Sequence, residues 1–311
     1  MSSQELMDRY NQLGKEASAL LNRAKIGAII TVILVIISAN AVHLALGILV
    51  FLIGGIVVLP AAYKMLSIIK ERQQLYKENY VAFVLGEMLD NVQYMPENGF
   101  SKNAFQKMYL AQLPKRQFTD DERQIEERNK EYLRGGVNDY AFHSEDYIRA
   151  SYKNVWFDYA DVISKASHEY ENRTVTESIF EGSAIKFDIN MKSVQDLHIF
   201  SKLFHHRAEL NYVSDLIDLE DIEFNEEFDV YSAIEEEAFY MLTPQFMERI
   251  KKLHRKYPTL SMRFADNAFY VGFYTDGYTF DVSSGDLEAD KKRIADHVQV
   301  IKDIVDILQL A

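Results

Sequence analysis

The chain of 311 residues has no cysteine. That excludes a disulfide framework, thiolate-held zinc, iron–sulfur clusters and thiol catalysis together, and it agrees with a reducing compartment. There is no Walker loop, no GxGxxG and no GxSxG, so the common nucleotide, dinucleotide and serine-hydrolase signatures are missing. His168-Glu169 lacks the second histidine of a zinc-protease helix. The neighbours His205 and His206 point in different directions on either a helix or a strand.

Charge is missing in two places. From Ile26 to Tyr63 there is no Asp, Glu, Lys or Arg. One helix of that length would run about 57 Å against a hydrocarbon core of roughly 30 Å, too long for one span and right for two short ones. The polar cluster Ser38-Ala39-Asn40-Ala41-Val42-His43 divides it. We therefore expect spans at Lys25–Ala39 and Leu44–Tyr63. Lys15, Arg23 and Lys25 precede the first, Lys64, Lys70, Arg72 and Lys77 follow the second, and the turn has no Lys or Arg. The positive-inside rule then puts both termini and the remaining chain on the cytoplasmic side of a plasma membrane. The apolar run starts too late and is too long for a cleaved signal peptide. No ionisable residue except His43 lies within the run, which disfavours a transport pathway. Gly47, Gly54 and Ala61 form a small-residue seam suited to close helix packing, within the chain or in a homo-oligomer.

The second gap lies between Arg207 and Arg249, where there is no Lys or Arg while Asp and Glu accumulate. Residues 1–92 carry eight basic and seven acidic side chains, so the remainder holds 26 basic and 40 acidic ones. So acidic a domain repels phosphate backbones, which excludes general nucleic-acid binding and leaves solubility, a basic protein partner or cations as its use. Asp218, Asp221 and Glu223 are the candidate ligands for a hard cation. An EF-hand does not fit: counting from Asp221 puts Glu226 where glycine is needed and Ser232 where a bidentate glutamate belongs. A solvated acidic surface is the competing reading. No cofactor is expected.

Helical signals flank the apolar run. Leu6, Tyr10, Leu13, Ala17 and Leu20 recur at four-three spacing, and Leu66, Ile69, Tyr76, Tyr80 and Phe83 mark a face reaching about Val92. The expected divisions are an amphipathic helix over 1–25, a transmembrane hairpin over 26–63, a stalk helix over 64–92 and an α+β domain over 93–311. In that domain Pro96-Glu97-Asn98-Gly99 is a turn, and Ser101 caps a helix through Tyr109. Thr119–Arg134 is a charged connector. Glu145–Ile163 and Thr174–Ile189 carry strand signals. Leu260–Phe264, Phe269–Phe273 and Tyr278–Val282 alternate as a three-stranded antiparallel meander, with turns at Asp266-Asn267 and Asp276-Gly277. Thr243-Pro244 opens a helix with the stripe Phe246, Met247, Ile250, Leu253 and the basic end Lys251, Lys252, His254, Arg255, Lys256. A last helix carries Ile294, Val298, Ile301, Val305 and Leu308. Strands and helices are segregated without βαβ alternation, so the class is α+β, an antiparallel sheet with flanking helices.

Several short motifs recur in a familiar order. Tyr80-Val81-Ala82-Phe83 is followed by Tyr94-x-Pro96-x-x-Gly99-Phe100-Ser101, Glu145-Asp146-Tyr147-Ile148 and Phe180-Glu181-Gly182. Then come Glu223-Phe224-Asn225-Glu226-Glu227-Phe228-Asp229-Val230-Tyr231 and Leu242-Thr243-Pro244. Over roughly residues 70–285 this resembles the bacterial family called domain of unknown function 3137. Arg149-Ala150 and Glu181 depart from that pattern, which commonly has a glycine after the Glu-Asp motif and a basic residue at the second position. The resemblance implies a membrane-attached bacterial protein without assigned activity. It marks Glu145, Asp146, Gly182, Phe228, Tyr231, Thr243 and Pro244 as a family-motif surface, and it suggests a LemA-type membrane protein as partner. The expected function is a membrane-anchored binding or scaffold protein. The alternatives are a metal-dependent enzyme at the inner membrane surface and a small oligomeric channel or transport accessory.

Overall fold

The computed structural model describes residues 3–41, 44–108, 110, 139–170, 173–189, 196–203, 215–232, 234–265, 267–275, 279–281 and 287–310. The chain divides into two compact units, one of residues 1–83 with 282–290, the other of 84–281 with 291–311.

The first unit is helical. α1 covers Ser3–Ala41 and α2 covers Leu44–Leu75, followed by a π-helical turn over Tyr76–Val81. The four-three stripe buries Leu6, Tyr10 and Leu13. Arg72 lies over the Tyr10 ring, 4.0 Å from its centroid, and Tyr76 and Tyr80 continue the stack. Arg9 pairs with Glu71 at 2.6 Å. Burial raises the Tyr10 hydroxyl above its ordinary pKa, and the neighbouring Arg72 charge opposes the shift. By contrast, Ile26, Ile29, Ile30, Val32, Ile33, Leu34 and Ile36 all face outward. The stretch Glu5–Ile36 is long and apolar enough to cross a membrane by length and composition, and none of its most apolar window is buried.

The helical path ends earlier than the stalk expected to Val92. α3 spans Ala82–Met88, and Asp90–Met95 is already a strand, β1, with Asn91 in the left-handed region at φ 54°.

In its described residues the second unit is built on a nine-stranded sheet in the order β1-β2-β3-β4-β9-β8-β5-β7-β6, with each of these pairings antiparallel. The further strands are β2 Asp139–Tyr152, β3 Val155–Tyr170, β4 Arg173–Asp188, β5 Asp196–Ser201, β6 Asp215–Ile217, β7 Phe228–Ser232, β8 Leu260–Ala265 and β9 Ala268–Tyr274. The helices are α4 Lys102–Met108, α5 Ile222–Glu227, α6 Glu235–Met241, α7 Pro244–Lys256 and α8 Leu287–Leu308. Segregated strands and helices give the α+β class read from the sequence.

Alternation along the strands assigns the two faces. One carries Tyr159, Ser183, Phe187, Ile199, Val230, Phe264 and Phe269, where α7 and α8 lay their apolar stripes: Phe246 meets Phe264, and His297 meets Tyr159 and Phe273. α4 covers part of the other face, with Phe105 against Phe142 and Phe180. Arg263 ties α4 down by donating to the Lys107 carbonyl at 2.6 Å while its Nε pairs with Asp196. Asp196 also lies 2.8 Å from His198; burial lowers the His198 pKa, against the pull of Asp196.

Two sequence expectations are revised. Glu145–Ile163, read as one strand region, is a hairpin: Tyr152 pairs with Val155 across Lys153-Asn154, whose φ angles of 50° and 65° are those of a type I′ turn. Among the described residues the meander has two of its three strands, Tyr278 and Val282 lying outside them. Thr279 and Phe280 form a turn, Phe280 is fully buried, and β9 takes β4 as its other neighbour. The reason is local, because the Thr279 amide is committed to the Asp161 carboxylate and is lost to a ladder. Thr119–Arg134 and the pair His205-His206 lie outside the described residues.

Candidate functional site

Strand β2 carries an interruption. Glu145 pairs with Asp161 and Ile148 with Tyr159, so Asp146 and Tyr147 together oppose one residue of β3, a β-bulge. Asp146 is fully buried with φ 60°, a left-handed conformation that is uncommon outside glycine and tolerated best by Asn and Asp. The freed amides of Asp146 and Tyr147 donate to the carbonyls of Pro96 and Asn98 at 3.0 and 2.9 Å. Ser144 accepts from the Phe100 amide and donates to the Asp161 carbonyl. Gly99 lets this turn sit down on β2, since a Cβ there would come within 2.3 Å of Ser144 Oγ. The Tyr94 hydroxyl donates to the Asp146 carboxylate. Two motifs distant in sequence thus become one structure.

Beside the bulge lies a second carboxylate. Asp161, 1% exposed, accepts from the Thr279 amide at 2.6 Å, from the Tyr159 hydroxyl, and from the hydroxyls of Ser183 and Thr279 at 3.1 Å each. His297 Nε2 stands 3.3 Å from Ser183 Oγ. With one proton per hydroxyl, the network closes if Ser183 donates to Asp161 and accepts from the Nε2–H of a neutral His297. The rings of Tyr159, Phe280 and His297 meet edge to face around it. Arg293 donates to the carbonyls of Thr279 and Asp281, clamping the turn over Asp161.

Burial sets the protonation here. It pushes Asp161 up to about 7, although the Tyr159 and Thr279 donors favour the carboxylate, and the nearby Asp146 adds to the rise. It pushes His297 down to about 3, with the Arg293 charge adding to the effect. Tyr94 and Tyr159 are both raised, first by burial and then by Asp146 and Asp161 respectively. Near neutral pH, Asp161 is therefore the titrating member of a set whose His and Tyr stay uncharged.

Toward solvent the bulge presents three carboxylates. One oxygen each of buried Asp146, half-buried Glu145 and exposed Asp281 lies within 4.8 Å of the others. These are oxygen donors of the kind a calcium, magnesium or manganese ion takes.

The acidic candidates read from the sequence are placed elsewhere. Asp218 accepts from the Asn225 side chain at 2.7 Å. Asp221 caps α5 by accepting from the Phe224 amide. Lys251, only 3% exposed, reaches Asp221 at 3.2 Å, Glu223 at 3.3 Å and Glu248 at 2.5 Å. The hydrogen bonds that Lys251 donates to Glu248 and then to Asp221 and Glu223 raise the lysine's pKa, and the Phe224 amide and Lys251 lower that of Asp221.

Of the family-motif residues, Asp146 is in the bulge, Glu145 is the paired residue just before it, and Gly182 lies on β4, across β3 from it. A Cβ at Gly182 would fall 2.1 Å from the Phe273 carbonyl oxygen, so β4 and β9 pair closely only with glycine there. Phe228 is buried between Phe224 and His254, and half-buried Tyr231 packs against Phe200. Thr243 caps α7 by accepting from the Phe246 amide, with Pro244 in its first turn. The basic end of α7 is likewise used internally: His254 meets Glu227 and Ser201, and Lys256 meets Asp303. Asp161, Ser183, Thr279, Asp281, Arg293 and His297 belong to the bulge site and were not singled out from the sequence. The available signal was Asp161 at period two from Tyr159 within an apolar strand, a charge facing the core.

No curated protein and no solved structure matches the chain. Residues 178–310, which contain the latter part of β4 with Gly182, and Thr279, Asp281 and His297, match the model of a family described as protein of unknown function (DUF3137), supporting the resemblance drawn from the motifs.

Proposed function

We propose that this chain is a bacterial plasma-membrane protein, anchored by a two-span helical hairpin, whose α+β unit faces the cytoplasm and binds a protein partner. The observation that carries the reading is the outward apolar belt of α1: the side chains from Ile26 to Ile36 named above are 48–60% exposed, a surface that suits acyl chains and not water. Orientation rests on the lysines and arginines flanking the run. A binding role is favoured because the polar groups beside the bulge are largely spent on one another: Asp161, Tyr159 and Ser183 are at most 1% exposed. Such a network rigidifies a platform. A LemA-type membrane protein is one partner that the family resemblance suggests.

The absence of native cysteine makes the topology directly testable. Single cysteines at His43→Cys and Gln309→Cys should react with a membrane-impermeant maleimide in opposite ways: position 43 in intact cells, position 309 only after lysis. Labelling of both in intact cells refutes the orientation. The binding role is tested by mild-detergent purification from the native membrane, where a stoichiometric protein partner is expected.

A second reading, a metal-dependent enzyme at the inner membrane surface, is favoured by one observation, the convergence of Glu145, Asp146 and Asp281. A manganese- or calcium-induced rise in melting temperature, abolished by Asp281→Asn, supports it. No shift with any divalent ion removes it.

A further inference from the structure

Among the described residues the sheet ends at β6, the terminal strand after β7. Its Ile217 is buried, while Leu216 points the other way and is 62% exposed. α6 packs beside β6 and β7, and its Phe239 and Tyr240 are 44% and 77% exposed. At the start of α5, Ile222 is 73% exposed. α5 is joined to the end of β6 through Asn225, which bonds Asp218 and both backbone groups of Leu219. Four large apolar side chains are thus exposed on adjoining elements, and exposed apolar surface gathered in this way marks interaction sites.

The same elements carry uncompensated negative charge. Glu220, Glu226, Glu235 and Glu236 are exposed and make no ion pair or hydrogen bond among the described residues. No Lys or Arg occurs from residue 208 to residue 248. Of the cations brought in from outside that stretch, Lys251 is held by Asp221, Glu223 and Glu248, and Lys202 by Asp229 and the Asn225 carbonyl. This combination selects the occupant. An anionic membrane surface, a nucleic acid and an acidic segment are repelled by the rim, and so is the same patch on a second copy of the chain. An apolar segment without charge would satisfy the centre and leave the glutamates without counter-charge.

We propose that the β6–α6 edge, with Ile222, is a docking surface for a cationic, apolar segment of another protein, in which Lys or Arg alternates with large aliphatic or aromatic side chains. The apolar side chains cover Leu216, Phe239 and Tyr240, and the cations meet the glutamate rim. The surface deepens the binding-protein reading of the previous subsection and rests on it for biological use.

The test uses the full chain in phosphatidylcholine nanodiscs, with empty discs as the blank, and fluorescence anisotropy of three short labelled peptides: alternating Arg-Leu, alternating Glu-Leu and alternating Arg-Ser. The Arg-Leu peptide is expected to bind at least about tenfold tighter than either other peptide, the scale of one lost anchor. The double variant Leu216→Ser/Tyr240→Ser should weaken it by a similar factor. Glu235→Gln/Glu236→Gln should flatten its salt dependence. All four positions are solvent-facing, and circular dichroism confirms that the variants fold. Equal binding of the Glu-Leu peptide, or unchanged binding to both variants, overturns the proposal. Mild-detergent purification separates this surface from the broader reading. A native partner retained by Leu216→Ser/Tyr240→Ser overturns the surface and leaves the binding role standing. A wild-type chain that brings down no partner removes the binding role, and the peptide series still decides the surface.

Discussion

Replacing Asp161 by asparagine should change how stability depends on pH more than it changes stability itself. The carboxyl is buried and titrates at about 7, against an ordinary value of 3.8. The folded protein therefore binds this proton more tightly than the unfolded chain. By linkage, the group's contribution is complete below about pH 4 and is lost as pH rises from there through about 7. At roughly 1.4 kcal/mol per pKa unit, the loss across that window is about 4 kcal/mol. The asparagine of Asp161→Asn does not titrate. It keeps an acceptor for the Thr279 amide, while its own amide can donate to the hydroxyls of Tyr159 and Ser183.

The difference in unfolding free energy, Asp161→Asn minus wild type, should therefore rise by up to about 4 kcal/mol between pH 4 and pH 8. Taking the difference cancels groups common to both proteins, among them Asp188, Asp196 and Asp303, whose lowered pKa values act in the opposite sense. His297, lowered to about 3, and the raised Tyr94 and Tyr159 stay neutral throughout the window. The chain's single tryptophan, Trp156, lies on β3, the strand that carries Asp161, so urea melts followed by its fluorescence report on this sheet. A flat difference, or one that falls with pH, refutes the argument that desolvation outweighs the hydrogen bonds at Asp161.

Other substitutions probe separate parts. Gly182→Ala should cost about 3 kcal/mol or more, because its Cβ meets the Phe273 backbone carbonyl and a flexible side chain cannot move aside instead; a melting temperature within a degree or two of wild type is the refuting result. Asn154→Gly should stabilise by about 0.5–1 kcal/mol, since φ is 65° there and glycine carries no penalty at that angle; urea melts that place the variant at or below wild type would count against the I′ assignment. Ile33→Arg places a charge in the exposed apolar belt and should cost about 3 kcal/mol of insertion, read as a larger fraction extracted by alkaline carbonate. An unchanged extraction profile would argue that this face of α1 does not contact lipid.

Legibility from sequence followed the range of the interactions. The α7 cap at Thr243-Pro244, the Ser101 cap and the pairing of β8 with β9 depend on neighbours a few residues away, and the structure has them, although β8 is buried on both faces and not on one. The β2–β3 hairpin was hidden because Lys153-Asn154 lacks the glycine that usually announces a type I′ turn. The third meander strand was over-read because Tyr278, Phe280 and Val282 alternate, while the competitor for the Thr279 amide sits 118 residues away in Asp161. The acidic tract was conspicuous because charge density is visible in one dimension. The pairing of Asp221 and Glu223 with Lys251, 28 to 30 residues on, is not.

The same asymmetry explains why the bulge site escaped while its motifs did not. Tyr94, Gly99, Glu145, Asp146 and Gly182 each look like a short local signature, yet none has a local reason. Gly99 is required by Ser144, Tyr94 by Asp146, and Gly182 by the approach of β9. The left-handed Asp146 is the hinge of the arrangement: its amide is turned from the ladder onto the Pro96 carbonyl, and its carboxylate is held by Tyr94. An alanine at 146 would lose the side-chain anchor and face the full cost of φ 60°, on the order of 1–2 kcal/mol. A glycine there would keep the backbone and lose only the carboxylate. Comparing Asp146→Ala with Asp146→Gly thus separates the two reasons for an aspartate at the bulge. If both variants melt together, the carboxylate anchored by Tyr94 dominates. If glycine restores most of the loss, the backbone dominates.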